Sequence, residues 1–195
     1  MVLPQSSLSR VCRAIADFLA QGLDANVHAI RVLIGTPAVA SQSTAAGDHR
    51  VNLFFYRIEP SGLFADTAPN DIWRIRLHCL ITPFGSAEEQ ISAGENDLRL
   101  LGEVVRLFHE TPILPELLIN GDHVRMEALF HPLALDEINH LWSTQKDVAC
   151  RPSVAYELTL VPVIPRRRGT GAPLVGALGA QVYGRVDARH APLTA

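Results

Sequence analysis

The side chains best suited to chemistry are eight histidines and three cysteines. The histidines are His28, His49, His78, His109, His123, His131, His140 and His190. Two histidines on one helix face a single metal only at the i, i+4 spacing, and no two have it. His123 and His131 flank a predicted strand, so they can meet other ligands only through the tertiary fold. Cys12, Cys79 and Cys150 form no CxxC pair and are odd in number. That pattern indicates neither a zinc site nor a disulfide framework, and fits free, mostly core thiols in a reducing compartment. Cys150 could pair with His140 across a turn, but no third group is placed to orient the pair. The phosphate-loop, dinucleotide, zinc-protease and nucleophile-elbow motifs are all missing from the sequence. Neither a cofactor nor a metal is therefore expected.

A second set is basic. Arg74, Arg76 and His78 recur at every second position of a predicted strand, and Arg166, Arg167 and Arg168 open the C-terminal stretch. No aromatics interleave with the first three and the body is net acidic, which argues against nucleic acid. A subunit interface or plain solvent suits that strand face better.

These residues need elements to hold them. Leu8, Val11, Cys12, Ile15, Phe18 and Leu19 have helical spacing, with Ser6 or Ser7 as cap and Gly22 as a left-handed stop. The helix is expected over Ser7–Gln21. Asn26 to Ile34 is rich in β-branched residues and reads as a strand, and Ala38 to His49 as a mobile loop. Val51–Glu59 and Ile72–Thr82 look like antiparallel partners joined by a long loop, Pro60 to Asp71. In the second, Trp73, Ile75, Leu77, Cys79 and Ile81 alternate with Arg74, Arg76, His78 and Thr82, so one face belongs in a core. The other meets water or a partner.

After an acidic loop, Ser86–Asn96, Asp97 is expected to cap a helix reaching Glu110. Leu98, Leu101, Val105 and Phe108, widened by Val104, make its inner stripe. Arg99, Glu103, Arg106 and Glu110 make a solvated ladder worth a few tenths of a kcal/mol per pair, roughly. Gly102 suggests close backbone packing, since glycine in a helix costs about 1 kcal/mol against alanine. A strand follows the Asn120-Gly121 turn, from His123 to Phe130. Asp136 caps a short helix with Ile138, Leu141 and Trp142 on one face. Pro152 ends the connection, and Val154 to Leu160 forms the last strand, bounded by Pro162 and Pro165. Together these make an α+β domain with one mixed, mainly antiparallel sheet of about five strands and flanking helices.

Composition agrees with a folded body: 195 residues, 48% hydrophobic and 19% charged. No apolar run has the roughly 18 residues a membrane span needs, and MVLPQSSLSR lacks the basic start and apolar centre of a signal peptide. Residues 166–195 carry net +4 against −7 for residues 1–165, giving the chain's −3. Rich in Gly and Ala, this stretch is expected to be an extended arm beyond a domain over 1–165.

Five blocks add a resemblance. They are VNLFFYRIEP (51–60), LHCLITPFG (77–85), LLGEVVRLFHETPIL (100–114), EINHLWS (137–143) and RPSVAYELTLVPV (151–163). In this order the series resembles the N-terminal domain of the terminal cap protein of phage-tail-like extracellular contractile injection systems, the class of the antifeeding prophage and virulence-cassette particles. It covers about residues 5 to 165. Two positions depart from it: Cys79, where an aromatic is usual, and APND before Ile72, where an RN pair is usual.

The resemblance implies a fold similar to contractile-phage tail terminators. It also implies a homohexameric ring on the distal end of the inner tube, in contact with the inner tube protein and the last layer of sheath protein. Such a ring stops polymerisation and anchors the sheath, in a particle assembled in the cytoplasm and then released or anchored. The competing reading is a small cytoplasmic hydrolase or metal-dependent enzyme using His and Cys residues. An enzyme needs several titratable groups converging in a pocket; a cap needs a broad contact surface.

Overall fold

A computed structural model describes residues 3–23, 30–42, 49–62, 71–119, 121–145 and 148–165. The order is α1 (Ser7–Leu23), β1 (Arg31–Ile34), α2 (Pro37–Ser41), β2 (Arg50–Pro60), β3 (Trp73–Phe84), α3 (Ala93–Glu110), β4 (Leu117–Ile119), β5 (Asp122–Val124), β6 (Glu127–Phe130), α4 (Leu135–Ser143) and β7 (Val154–Val163). Five strands form one sheet in the order β1-β2-β3-β7-β6, all antiparallel but for the parallel β1–β2 pair. β4 and β5 form a separate hairpin.

Alternation along β3 explains the layers. Ile75, Leu77, Cys79 and Ile81 are buried under α1 and α3, whose Val11, Ile15, Leu19, Leu100, Val104 and Phe108 complete the core. Phe18, Phe108, Tyr156 and Phe130 link α1, α3, β7 and β6, with successive ring centroids 5.9, 4.5 and 5.5 Å apart. Offset aromatic contacts of this kind add to simple burial. Trp73, assigned from sequence to the core face, lies at the sheet's end and is exposed. The opposite face is not left to water along its whole length. His78, Leu80 and Thr82 are buried, while Arg74 and Arg76 remain half-buried. Leu80 lines a common depression with Ile138 and Trp142 of α4.

Several local expectations are corrected. Gly22 continues α1 rather than stopping it; a Cβ there would lie 2.6 Å from Leu107, so its role is close helix approach. Of the two caps expected, Ser6 serves, its hydroxyl accepting the Ser9 amide at 3.1 Å. Of the strand expected over 26–34, Arg31–Ile34 forms; residues 26–29 lie outside the described residues, as do 43–48 of the expected loop and 63–70 of the β2–β3 connection. The start of the loop expected from Ala38 is instead a helical turn, Pro37–Ser41, started by Thr36, whose hydroxyl accepts the Val39 amide, with Pro37 in the first turn. The strand expected over 123–130 divides: residues 122–124 pair with β4, and 127–130 join the main sheet.

Helix α3 starts at Ala93, capped by Ser92, so Asp97 is not its cap. Its buried side is Leu100, Leu101, Val104, Leu107 and Phe108; Leu98 and Val105 are exposed. The charged ladder forms as Arg99–Glu95, Arg106–Glu103 and Arg106–Glu110 pairs at the surface. Asp136 lies inside the first turn of α4, and Glu137 instead reaches back to accept the Ala134 amide at 3.0 Å. Gly102 does not serve close packing, since a Cβ there would meet nothing within 4 Å among the described residues. Gly102→Ala is therefore expected to stabilise the fold by roughly 1 kcal/mol. The melting temperature should rise by roughly 2–4 °C; a fall would show an unseen contact at that position.

Candidate contact surface

The basic set on β3 is built by strand pairing. Glu59 on β2 lies opposite Arg76, and Glu157 on β7 opposite His78. Arg76 sits between these two acids, Nη2 at 3.6 Å from Glu59 Oε2 and Nη1 at 3.5 Å from Glu157 Oε1. Arg57 also pairs with Glu59. The hydrogen bond from His78, at 3.0 Å, is the chief cause that holds the Glu59 carboxyl below its usual range. Arg74 Nη1 donates to Leu160 O at 3.1 Å. Leu160 has φ of 59°, left-handed for a leucine, at the β7 bulge opposite Arg76. The three residues named from sequence are thus brought together as a cross-strand ladder. Arg74 and Arg76 keep solvent access, and His78 is 3% exposed. Arg166, Arg167 and Arg168 lie outside the described residues.

Ile58, Leu129 and Phe130 are exposed apolar side chains on β2 and β6, and Leu98 and Val105 make an exposed flank of α3. Strand β1 ends the sheet on one side. On the other, β6 is shielded by residues 112–114: Ala128 N donates to Pro112 O at 2.9 Å and Leu114 N to Met126 O at 3.0 Å. Among the described residues, no helix is long and apolar enough to cross a membrane.

Among the described residues, the Cys79 and Cys150 thiols lie against backbone carbonyls rather than a histidine. No hydrogen bond among these residues joins Cys150 to His140; the thiol lies against Arg151 O at 4.0 Å. Burial pushes the Cys12 thiol up to about 11 and the Cys79 thiol well above its ordinary value, which suppresses the nucleophilic thiolate at neutral pH. His49 is buried and bonded to Glu88 at 2.9 Å.

Two groupings were missed by sequence reasoning. One is a buried polar knot at the end of β3, where Asp97 accepts from the Gly85 amide at 2.6 Å and from Arg151 at 2.8 Å. Ser92 and Glu95 carry the S-x-x-E helix-start signature that would have freed Asp97 for this role. The other is the meeting of His78, His131 and Glu157, whose ligand atoms all lie within 4.8 Å of one another. No sequence spacing signals it, because the three residues come from different parts of the fold.

The sequence model of the Pvc16 N-terminal domain family matches residues 10–177. No curated protein sequence matches the chain. Solved structures share the fold, and two carry the comparison. A sheath/tube terminator of an extracellular contractile injection system, PVC, in its extended state superposes with a TM-score of 0.58 at 18% identity. The match covers 87% of this chain and 61% of that one, so the chain spans about three fifths of that protein's length. The tube-terminating cap of the anti-feeding prophage gives a TM-score of 0.55 at 15% identity over 91% of this chain and 69% of the cap. With 168 consecutive residues inside the family match and the same α+β fold in both structures, this chain belongs to the Pvc16 N-terminal domain family.

Proposed function

We propose that the chain is a structural cap of a phage-tail-like contractile injection particle. It closes the distal end of the inner tube and anchors the last sheath layer, with no catalytic step and no cofactor. The observation that carries this is family membership across residues 10–177, joined to the fold it shares with a tube terminator and a tube cap. The surface suits the role: a cap needs extended contacts, and the exposed apolar and charged side chains spread over β2, β3, β6 and α3.

In this reading six copies form a ring, since a sixfold tube needs a matching lid and head-to-tail contacts close only at the right rotation. The terminal strand β1 and the Leu98–Val105 flank of α3 supply contacts between copies. Arg74 and Arg76, backed by His78, and Arg166, Arg167 and Arg168 meet carboxylates of the tube, the sheath or a neighbouring copy. Assembly takes place in the cytoplasm. Electron micrographs of particles from a strain lacking the gene test the proposal. Uncapped tubes and loss of regular length are expected; normal, capped particles would overturn it.

The basic stretch allows a separate prediction. Deleting everything after Pro165 is expected to leave the domain folded while weakening its attachment to particles. Contacts made by those arginines should also weaken with salt, because screening shortens the reach of exposed charges. Full capping by the truncated chain, measured in the same micrographs, would leave residues 166–195 without that role.

A further inference from the structure

We infer that His78, His131 and Glu157 form a binding site for a first-row divalent cation, zinc foremost, on the outer face of the sheet. His78 is the key residue. Its Nε2 lies 3.0 Å from Glu59 Oε2. A carboxylate only accepts, so Nε2 is the protonated nitrogen, and in the neutral ring that a metal requires Nδ1 keeps the lone pair. That Nδ1 is buried and has no hydrogen-bond partner among the described residues. Buried polar atoms nearly always have one, so the orphan itself calls for a ligand.

Two further donors lie beside the His78 ring. His131 follows β6 and is fixed by its backbone amide, which donates to Ala155 O at 2.9 Å. Its ring stands edge-on to that of His78 with centroids 5.0 Å apart. Glu157 lies opposite His78 in the β3–β7 register. Ligand atoms of the three lie within 4.8 Å of one another. Four-coordinate zinc with bonds of about 2.0–2.1 Å places its ligand atoms about 3.4 Å apart, so small side-chain movements close the set.

Two histidines and one carboxylate, with a fourth position for water, is a donor set zinc accepts. The Glu59–His78 hydrogen bond is the outer-shell contact that metal-binding histidines use to fix ring and tautomer. Arg76 lies beside Glu157 and Glu59 and opposes the incoming charge, which limits affinity while leaving the donors in place. A bound ion would tie β3, β7 and the β6–α4 connection together, and so hold α4 on the sheet. This inference is independent of the proposed capping role.

The test uses the full-length chain, tag-free and stripped with chelator. Calorimetric titration with zinc chloride is expected to show one equivalent bound, and cobalt(II) should give the visible absorption of a four-coordinate nitrogen–oxygen site. His131→Ala and Glu157→Gln should abolish both signals. Glu59→Gln should weaken zinc by about 10–100-fold through the outer shell. His123→Ala, at an exposed histidine outside the site, should change nothing. Zinc at a hundredfold excess over its Kd should raise the melting temperature of the wild-type chain by about 5 °C or more, and not that of His131→Ala. Absence of binding to the folded chain, or binding indifferent to His131→Ala and Glu157→Gln, overturns the proposal.

Discussion

Asp97→Ala is expected to lower stability by about 3 kcal/mol, through loss of a buried acceptor rather than of a helix cap. Asp97 is 3% exposed, and its carboxylate serves two donors, the Gly85 amide at 2.6 Å and Arg151 at 2.8 Å. Removing it leaves the Gly85 amide without its acceptor. Arg151 is about one third exposed, so water recovers part of its loss, and the effect stays below that of a fully buried pair. Asp97→Asn keeps an acceptor for Gly85 and should cost about half as much. Urea unfolding of both variants, with Arg151→Ala and the double mutant, measures the coupling directly. A coupling near zero would show that Arg151 and Asp97 act separately.

Much of the sheet was legible because alternation leaves a strong mark. The β2–β3 pairing, α1, and the inner positions Ile75, Leu77, Cys79 and Ile81 follow from period two and period 3.6 alone. The phase of α3 did not. Its charged ladder points one way, and two apolar flanks lie about equally far from it: Leu100 with Leu107, and Leu98 with Val105. Periodicity cannot choose between them. The packing of α1 chooses, since Gly22 lets that helix approach Leu107 and Phe18 meets Phe108. The hairpin β4–β5 was hidden for a related reason, as three-residue strands are too short to show alternation.

The candidate site divides in the same way. Arg74, Arg76 and His78 were readable as one strand face, but their acidic partners Glu59 and Glu157 are set by register across two other strands. His131 was invisible as a neighbour of His78, because 53 residues separate them and only the turn after β6 returns it to β3.

Trp142→Ala is expected to be the other severe substitution, at about 3 kcal/mol or a fall of roughly 6–12 °C in melting temperature. Trp142 is the one residue of α4 buried by the fold, at 7% exposure, while Ile138 and Leu141 stay half-buried. It lines a depression with Leu80 of β3 and Ala155 of β7, so it is the anchor that holds the nine-residue helix on the sheet. A helix this short has little stability of its own and depends on such packing. The indole Nε1 has no hydrogen-bond partner among the described residues, so the anchor works through area and shape. Trp142→Phe, which keeps most of that shape, should therefore cost only about 1–2 kcal/mol. Equal losses for Ala and Phe would mean that a polar contact of the indole, rather than its packing, holds α4. An unchanged melting curve for Trp142→Ala would move the residue from the core to an assembly interface.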